Sequence, residues 1–144
     1  MYDNILLPTD GSDGAVEALE HAIAEAEAHD AALSILSVAD RRVVLAADRD
    51  DTEGVKADLR AEAEDAVATL ADIAETEGIE TSTAVREGVP YREIRRYADD
   101  TGIDLLVVGT HGRTGREKRL NLGSTTERLI KGAGRPVLVV DISE

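Results

Sequence analysis

The stretch VVGTHGRTGREKRLNLGSTTERLIK, residues 107–131, concentrates the residue types that could do chemistry. A strand-like apolar run, Leu105 to Val108, ends at Gly109 and enters a loop carrying His111, Gly112, Arg113 and Gly115. The loop closes at Gly123-Ser124, where a helix is expected. Ser124 and Glu127 have the spacing of a capping box, which predicts Ser124 as N-cap of a helix reaching Lys131. The backbone N–H groups of Ser124, Thr125 and Thr126 then lack helical acceptors, and with the positive helix end they suit a phosphate. Glycines let the backbone approach an anion closely. The same pattern also fits a glycine-rich surface turn with an ordinary cap.

Charge favours the anion reading. The chain has 144 residues, 30 acidic and 16 basic side chains and a formal net charge of −14. Residues 1–80 hold 21 acids against 5 basic residues, whereas residues 81–144 hold 9 against 11. Inside the loop, Arg113, Arg116, Lys118 and Arg119 face only Glu117. Cations gathered beside a glycine-rich helix entrance in so acidic a chain point to an anionic ligand, the alternative being balance of the acidic surface.

A second polar turn, Thr9-Asp10-Gly11-Ser12-Asp13, follows the apolar segment 2–8, which Pro8 ends. Ile5-Leu6-Leu7 is too continuous for a half-exposed strand and predicts a buried parallel one. Ser12 or Asp13 is the expected cap of a helix to His29 with Val16, Leu19, Ile23 and Ala26 on its inner face. A strand over Ala31–Val38, a polar crossover over 39–51 and a long helix over 53–77 come next, the last stopped by Gly78. Along it Leu59, Ala63, Ala66, Leu70, Ile73 and Glu77 repeat at helical spacing.

Alternation over residues 79–85 predicts an edge strand, and Pro90 opens a helix with Ile94, Tyr97, Ala98 and Thr101 inward. Leu122, Leu129, Ile130 and Ala133 are the expected inner face of the last helix, with Gly132 or Gly134 stopping it before a final strand, Pro136–Val140. Five strands alternating with four helices make one domain, 1–144, with an open parallel α/β sheet covered by helices on both faces. Ligands of such sheets bind beyond the strands' C-terminal ends where strand order reverses. Asp10 and Gly109 both lie at such ends and share a pocket if their strands are neighbours.

Composition excludes several classes. With no Cys, Phe or Trp, the core is aliphatic and disulfide and thiolate chemistry are absent. No leader-like segment or membrane-length apolar run is evident, so a cytoplasmic location is expected. The acidic field repels duplex nucleic acid. Dense Asp and Glu with three Lys fit a protein adapted to a salty, halophilic cytosol. His21, His29 and His111 have no metal-ligand spacing, Ser12 and Ser124 have no evident base and orienting acid, and Lys118 does not complete a Walker loop.

Taken together, Ile5-Leu-Leu-Pro-Thr-Asp-Gly-Ser12, Val107-Val-Gly-Thr-His-Gly-Arg-Thr-Gly115, Gly123-Ser124 and Pro136-Val-Leu-Val-Val140 resemble the universal stress protein family, over essentially the whole chain. The resemblance implies a strand order 3-2-1-4-5, a Rossmann-like fold and a homodimer paired through Val137, Leu138, Val139 and Val140. It implies the ATP-binding subgroup, marked by the glycine loop. Asp10 and the Gly109 backbone would then contact ribose, the Val38 backbone the adenine edge, and Pro8, Thr9 and Val108 the surrounding slot. Gly112, Gly123, Ser124 and Thr125 would hold the phosphates, with Mg or Mn among them, and His111, Arg113 and Gly115 would complete the loop. Ten residues separate Gly112 from Gly123, one more than binding members usually have. Hydrolysis is expected to be slow at most. The competing expectation is a nucleotide-free dimer acting through protein contacts, and a third is an AMP-type sensor in the same pocket.

Overall fold

The computed structural model describes residues 1–12, 14–46, 52–110 and 123–142. His111, Gly112, Arg113, Gly115 and Leu122, the loop cations Arg116, Lys118 and Arg119, and Asp13 lie outside the described residues. The elements are β1 (Asn4–Thr9), α1 (Ala15–His29), β2 (Ala32–Asp40), α2 (Arg41–Ala46), α3 (Thr52–Thr76), β3 (Thr81–Gly88), α4 (Pro90–Thr101), β4 (Leu105–Gly109), α5 (Ser124–Ile130) and β5 (Val137–Val140). All strand pairings are parallel, in the order β3-β2-β1-β4-β5.

The central strand explains why the apolar runs are continuous. Successive strand side chains point to opposite faces, and β1 is covered on both. Ile5 and Leu7 join Leu33, Ile35 and Val107 under α1 and α3, where Leu19, Ala22, Val67 and Leu70 are buried. Leu6 faces the other way, with Leu36, Leu106 and Val108, under Ile94, Tyr97 and Ala98 of α4 and Leu129 of α5. Ile5, Leu6, Leu7, Leu33, Ile35 and Leu36 are all at most 1% exposed, so each contributes about 1.5–3 kcal/mol of burial.

Several boundaries differ from the sequence expectation for identifiable reasons. The polar crossover at 39–51 extends β2 to Asp40 and then forms the short helix α2. The N-cap of α1 is Gly14, not Ser12. Val16 is exposed, and Ala18 and Ala22 take the inward positions beside Leu19, Ile23 and Ala26. On α3 the buried stripe is Ala63, Val67, Leu70, Ala71 and Ala74, which leaves Ile73 at the surface. Thr101 and Ile130 are likewise exposed. The edge strand β3 begins two residues later than expected and runs to Gly88. Gly78 follows α3 at φ +83°, the left-handed geometry expected of a helix stop.

Candidate functional site

Strand order reverses between β1 and β4, because β2 lies on one side of β1 and β4 on the other. The segments that follow β1 and β4 therefore leave the sheet in divergent directions and open a crevice at the strands' C-terminal ends. On the β1 side, two short turns shape the wall. Thr9 Oγ1 accepts the Gly11 N–H at 3.1 Å, and Asp10 Oδ1 accepts the Ser12 N–H at 2.9 Å. Such side-chain turns substitute for backbone hydrogen bonds where no ladder is available. They orient the exposed Asp10 carboxylate at the rim.

The β4 side is held by threonines. Thr126 Oγ1 donates to the Gly109 carbonyl at 2.7 Å, joining α5 to the end of β4. Gly123 N–H donates to the Thr110 carbonyl at 2.7 Å, and Thr110 N–H donates to the Val140 carbonyl at 2.9 Å. Thr110 Oγ1 in turn accepts the Ile142 N–H at 3.0 Å. One residue thus ties together β5, the segment after it and the entrance of α5. Gly123 is the N-cap of α5 in extended geometry, so Ser124 is the first helical residue and no side-chain cap bond forms. The expected Ser124–Glu127 capping box is therefore absent: the bond from Gly123 to Thr110 selects the cap one residue earlier. The first intrahelical donor is Glu127 N–H, to the Gly123 carbonyl. Ser124, Thr125 and Thr126 accordingly present first-turn amides with no acceptor within the helix.

A cavity of about 330 Å³ occupies the crevice. Its lining includes Pro8, Thr9 and Asp10 from β1 and its turn, Val38 from β2, Val108 and Gly109 from β4, and Gly123, Ser124 and Thr125. The structure therefore brings nine of the thirteen sequence-selected residues to one cavity, and the other four, His111, Gly112, Arg113 and Gly115, lie outside the described residues. Leu36, Val38, Ala39, Val108, Ile94 and Leu129 supply apolar wall, the usual composition of a small-molecule site with a few convergent polar groups.

Some lining residues had not been selected from sequence. Asp40 and Arg42 form a bidentate pair at the β2–α2 junction, with Arg42 Nε 2.9 Å from Oδ1 and Nη2 2.7 Å from Oδ2. Arg42 N–H also donates to Oδ1 at 3.0 Å. The side-chain hydrogen bond from Arg42 holds the Asp40 carboxyl below the usual carboxylate range against a smaller opposing effect of burial, and the same bond raises the Arg42 pKa. Ile142 also lines the cavity, from beyond β5, and is seated against Gly14 at the start of α1. The Asp-Arg-Arg sequence was a signal for the ion pair, whereas nothing local marks Ile142.

Among the described residues no group of three or more His, Asp or Glu side chains could ligate a metal ion. No described helix is long and apolar enough to cross a membrane.

The profile of the universal stress protein family matches residues 1–141. Universal stress protein MJ0531 of Methanocaldococcus jannaschii is 40% identical over 141 residues, covering 97% of this chain and 82% of that protein. A solved structure of MJ0577, from the same organism, superposes with a TM-score of 0.88 at 33% identity, over 100% of this chain and 99% of that one. A universal stress protein solved in complex with cAMP superposes with a TM-score of 0.74 at 26% identity, covering 99% of both chains. The match in sequence along nearly the whole chain, on the same five-stranded sheet, means that this chain belongs to the universal stress protein family.

Proposed function

We propose that the protein binds ATP in the β1–β4 crevice and serves a stress-response or signalling role, with hydrolysis slow at most. The observation that carries this reading is the single cavity that collects Pro8–Asp10, Val38, Val108–Gly109 and Gly123–Thr125. Its volume, about 330 Å³, falls within the about 300–1,000 Å³ of small-molecule sites. The division of labour follows from chemistry. Adenine is planar and apolar on its faces, and Pro8, Val38 and Val108 offer apolar wall. Its polar edge needs backbone partners, which the Val38 peptide supplies. Ribose hydroxyls are donors, and the Asp10 carboxylate is an acceptor oriented by Ser12. The Gly109 backbone joins Asp10 at the ribose. Phosphates need N–H donors, which Ser124 and Thr125 supply, and unobstructed backbone, which Gly123 supplies beside them; Gly112 is assigned to the same task, and His111, Arg113 and Gly115 to the loop that completes it. That a related protein was solved in complex with cAMP supports an adenine nucleotide as the ligand class.

A divalent ion, Mg or Mn, would enter with the phosphates, since the described residues offer no metal cluster of their own. The site has no residue assigned to catalysis. We place the protein in the cytoplasm, in a chain adapted to high salt. Its partner would be a second copy joined through Val137, Leu138, Val139 and Val140, because β5 is a sheet edge whose one strand neighbour is β4. Denaturing extraction of protein purified in molar KCl, followed by mass spectrometry, should release adenine nucleotide. Extracts free of nucleotide, from dimers seen by light scattering, would favour a dimer acting through protein contacts alone. Release of AMP in place of ATP would favour a sensor of the monophosphate.

A further inference from the structure

The outer face of α4 and α5 carries a cluster that the crevice does not use. The guanidinium carbons of Arg92, Arg95 and Arg128 lie 5.6, 5.7 and 4.8 Å from the centroid of the Tyr91 ring. Arg92 Nε also donates to the Tyr91 phenol oxygen at 3.0 Å. Cation–π attraction and the planar guanidinium explain how three like charges tolerate one ring. The ion pairs among the described residues of this face join Arg96 to Glu93, Lys131 to Glu127 and Arg135 to Asp99. None of them engages Arg92, Arg95 or Arg128. Arg95 is committed to the fold, donating to the Arg128 and Lys131 carbonyls at the end of α5. Arg92 and Arg128 are exposed, and their guanidiniums lie against the tyrosine ring without a carboxylate among the described residues.

In a chain with 30 acidic side chains, three arginines on one ring without a carboxylate partner among the described residues are a marked departure from the surrounding surface. The rest of that surface is rich in acids that could have neutralised them. Tyr91 is half-buried and packed against the core cluster beneath α4, so the arginines rest on an anchored side chain. Tyr with Arg is the composition of protein-interface anchors, and the guanidinium fork matches carboxylates bidentately. We propose that Tyr91, Arg92 and Arg128, supported by Arg95, form a docking surface for an acidic segment of a partner protein. Charge complementarity selects that occupant: the face is open and spread over two helices, and its cations are guanidiniums stacked on a ring. Duplex nucleic acid is disfavoured because the net charge of −14 repels a long polyphosphate, while a short acidic segment meets mainly the local field. This inference is independent of the nucleotide reading, since none of these four residues lines the crevice cavity.

The test uses the full chain and a short fluorescein-labelled peptide of alternating Glu and Ala, followed by fluorescence anisotropy at about 0.1 M salt, where the screening length is about 10 Å. The expected result is saturable binding that Arg92→Gln with Arg128→Gln weakens by about tenfold or more, as loss of close charge pairs across an interface does. Arg60→Gln serves as control: it removes the same kind of charge from a residue already paired with Glu64 and Glu87, and should leave affinity within about twofold. Circular dichroism melting verifies that the variants are folded. The proposal is overturned by any of four results: no binding of the Glu peptide, equal binding of its Gln counterpart, equal weakening by the Arg60 control, or tighter binding of a duplex oligonucleotide than of the peptide.

Discussion

The Thr126 hydroxyl donates to the Gly109 carbonyl at 2.7 Å, and through this bond the first turn of α5 is fastened to the last residue of β4. Thr126 is 8% exposed, so the bond is shielded from competing water. Val is the near-isostere that removes it. Thr126→Val should cost about 1–3 kcal/mol, because the carbonyl of Gly109 is left without its donor. Urea denaturation measures the loss, and Thr126→Ser should recover most of it. A Val variant as stable as the parent would show that the fastening contributes nothing.

Gly14 and Ile142 couple the beginning of α1 to the segment after β5. A Cβ at position 14 would run into the Ile142 side chain, which itself lines the cavity. Gly14→Ala should therefore destabilise by about 1–3 kcal/mol, the usual cost of overpacking. In an Ile142→Ala background, where the obstructing Cγ atoms are gone, the same change should cost clearly less. Additive effects in the double variant would contradict the contact.

Asp40 carries a pH signature. Its folded pKa is depressed, chiefly by the hydrogen bond from Arg42. A depressed carboxylate contributes stability that is present above the unfolded pKa, about 3.9, and is lost as pH falls through the folded value. Arg42→Gln should raise the Asp40 titration midpoint in carboxyl-carbon NMR. It should also narrow the stability difference from the parent as pH drops below about 4. The pair is partly exposed, with side chains 56% and 24% accessible, so the difference at neutral pH should stay below about 1 kcal/mol. An unmoved midpoint would separate Asp40 from Arg42 in solution.

With a formal net charge of −14, mutual repulsion opposes folding at low ionic strength. In molar salt the screening length falls to about 3 Å. Thermal melting should therefore shift upward between low and molar KCl. A flat response would remove the basis for reading the composition as salt adaptation.

The parts legible in the sequence were those whose signal is local. Ile5-Leu6-Leu7 and Leu105–Val108 are apolar at every position, and only strands covered on both faces tolerate that. Pro8–Asp10 and Gly109 follow those strands directly, so placing the strands placed half the cavity. The rest depends on distant partners. The cap of α5 shifts to Gly123 because Thr110, thirteen positions earlier, accepts its N–H. Arg41–Ala46 is too short for helical periodicity to stand out, and Leu45 is 77% exposed, so α2 resembled a polar connection. Ile142 reaches the cavity only because Thr110 Oγ1 holds its N–H, a bond between residues 32 positions apart.

The central claim is that adenine-nucleotide binding depends on Asp10, just past the end of β1, and Gly123, the N-cap of α5, which line one cavity. Isothermal titration calorimetry of ATP into nucleotide-stripped protein in molar KCl tests it most directly. One saturable site per chain is expected, and Asp10→Ala combined with Gly123→Ala should abolish the binding heat while the melting curve stays cooperative. Unchanged affinity in that double variant, or no binding heat with the parent protein, would contradict the account.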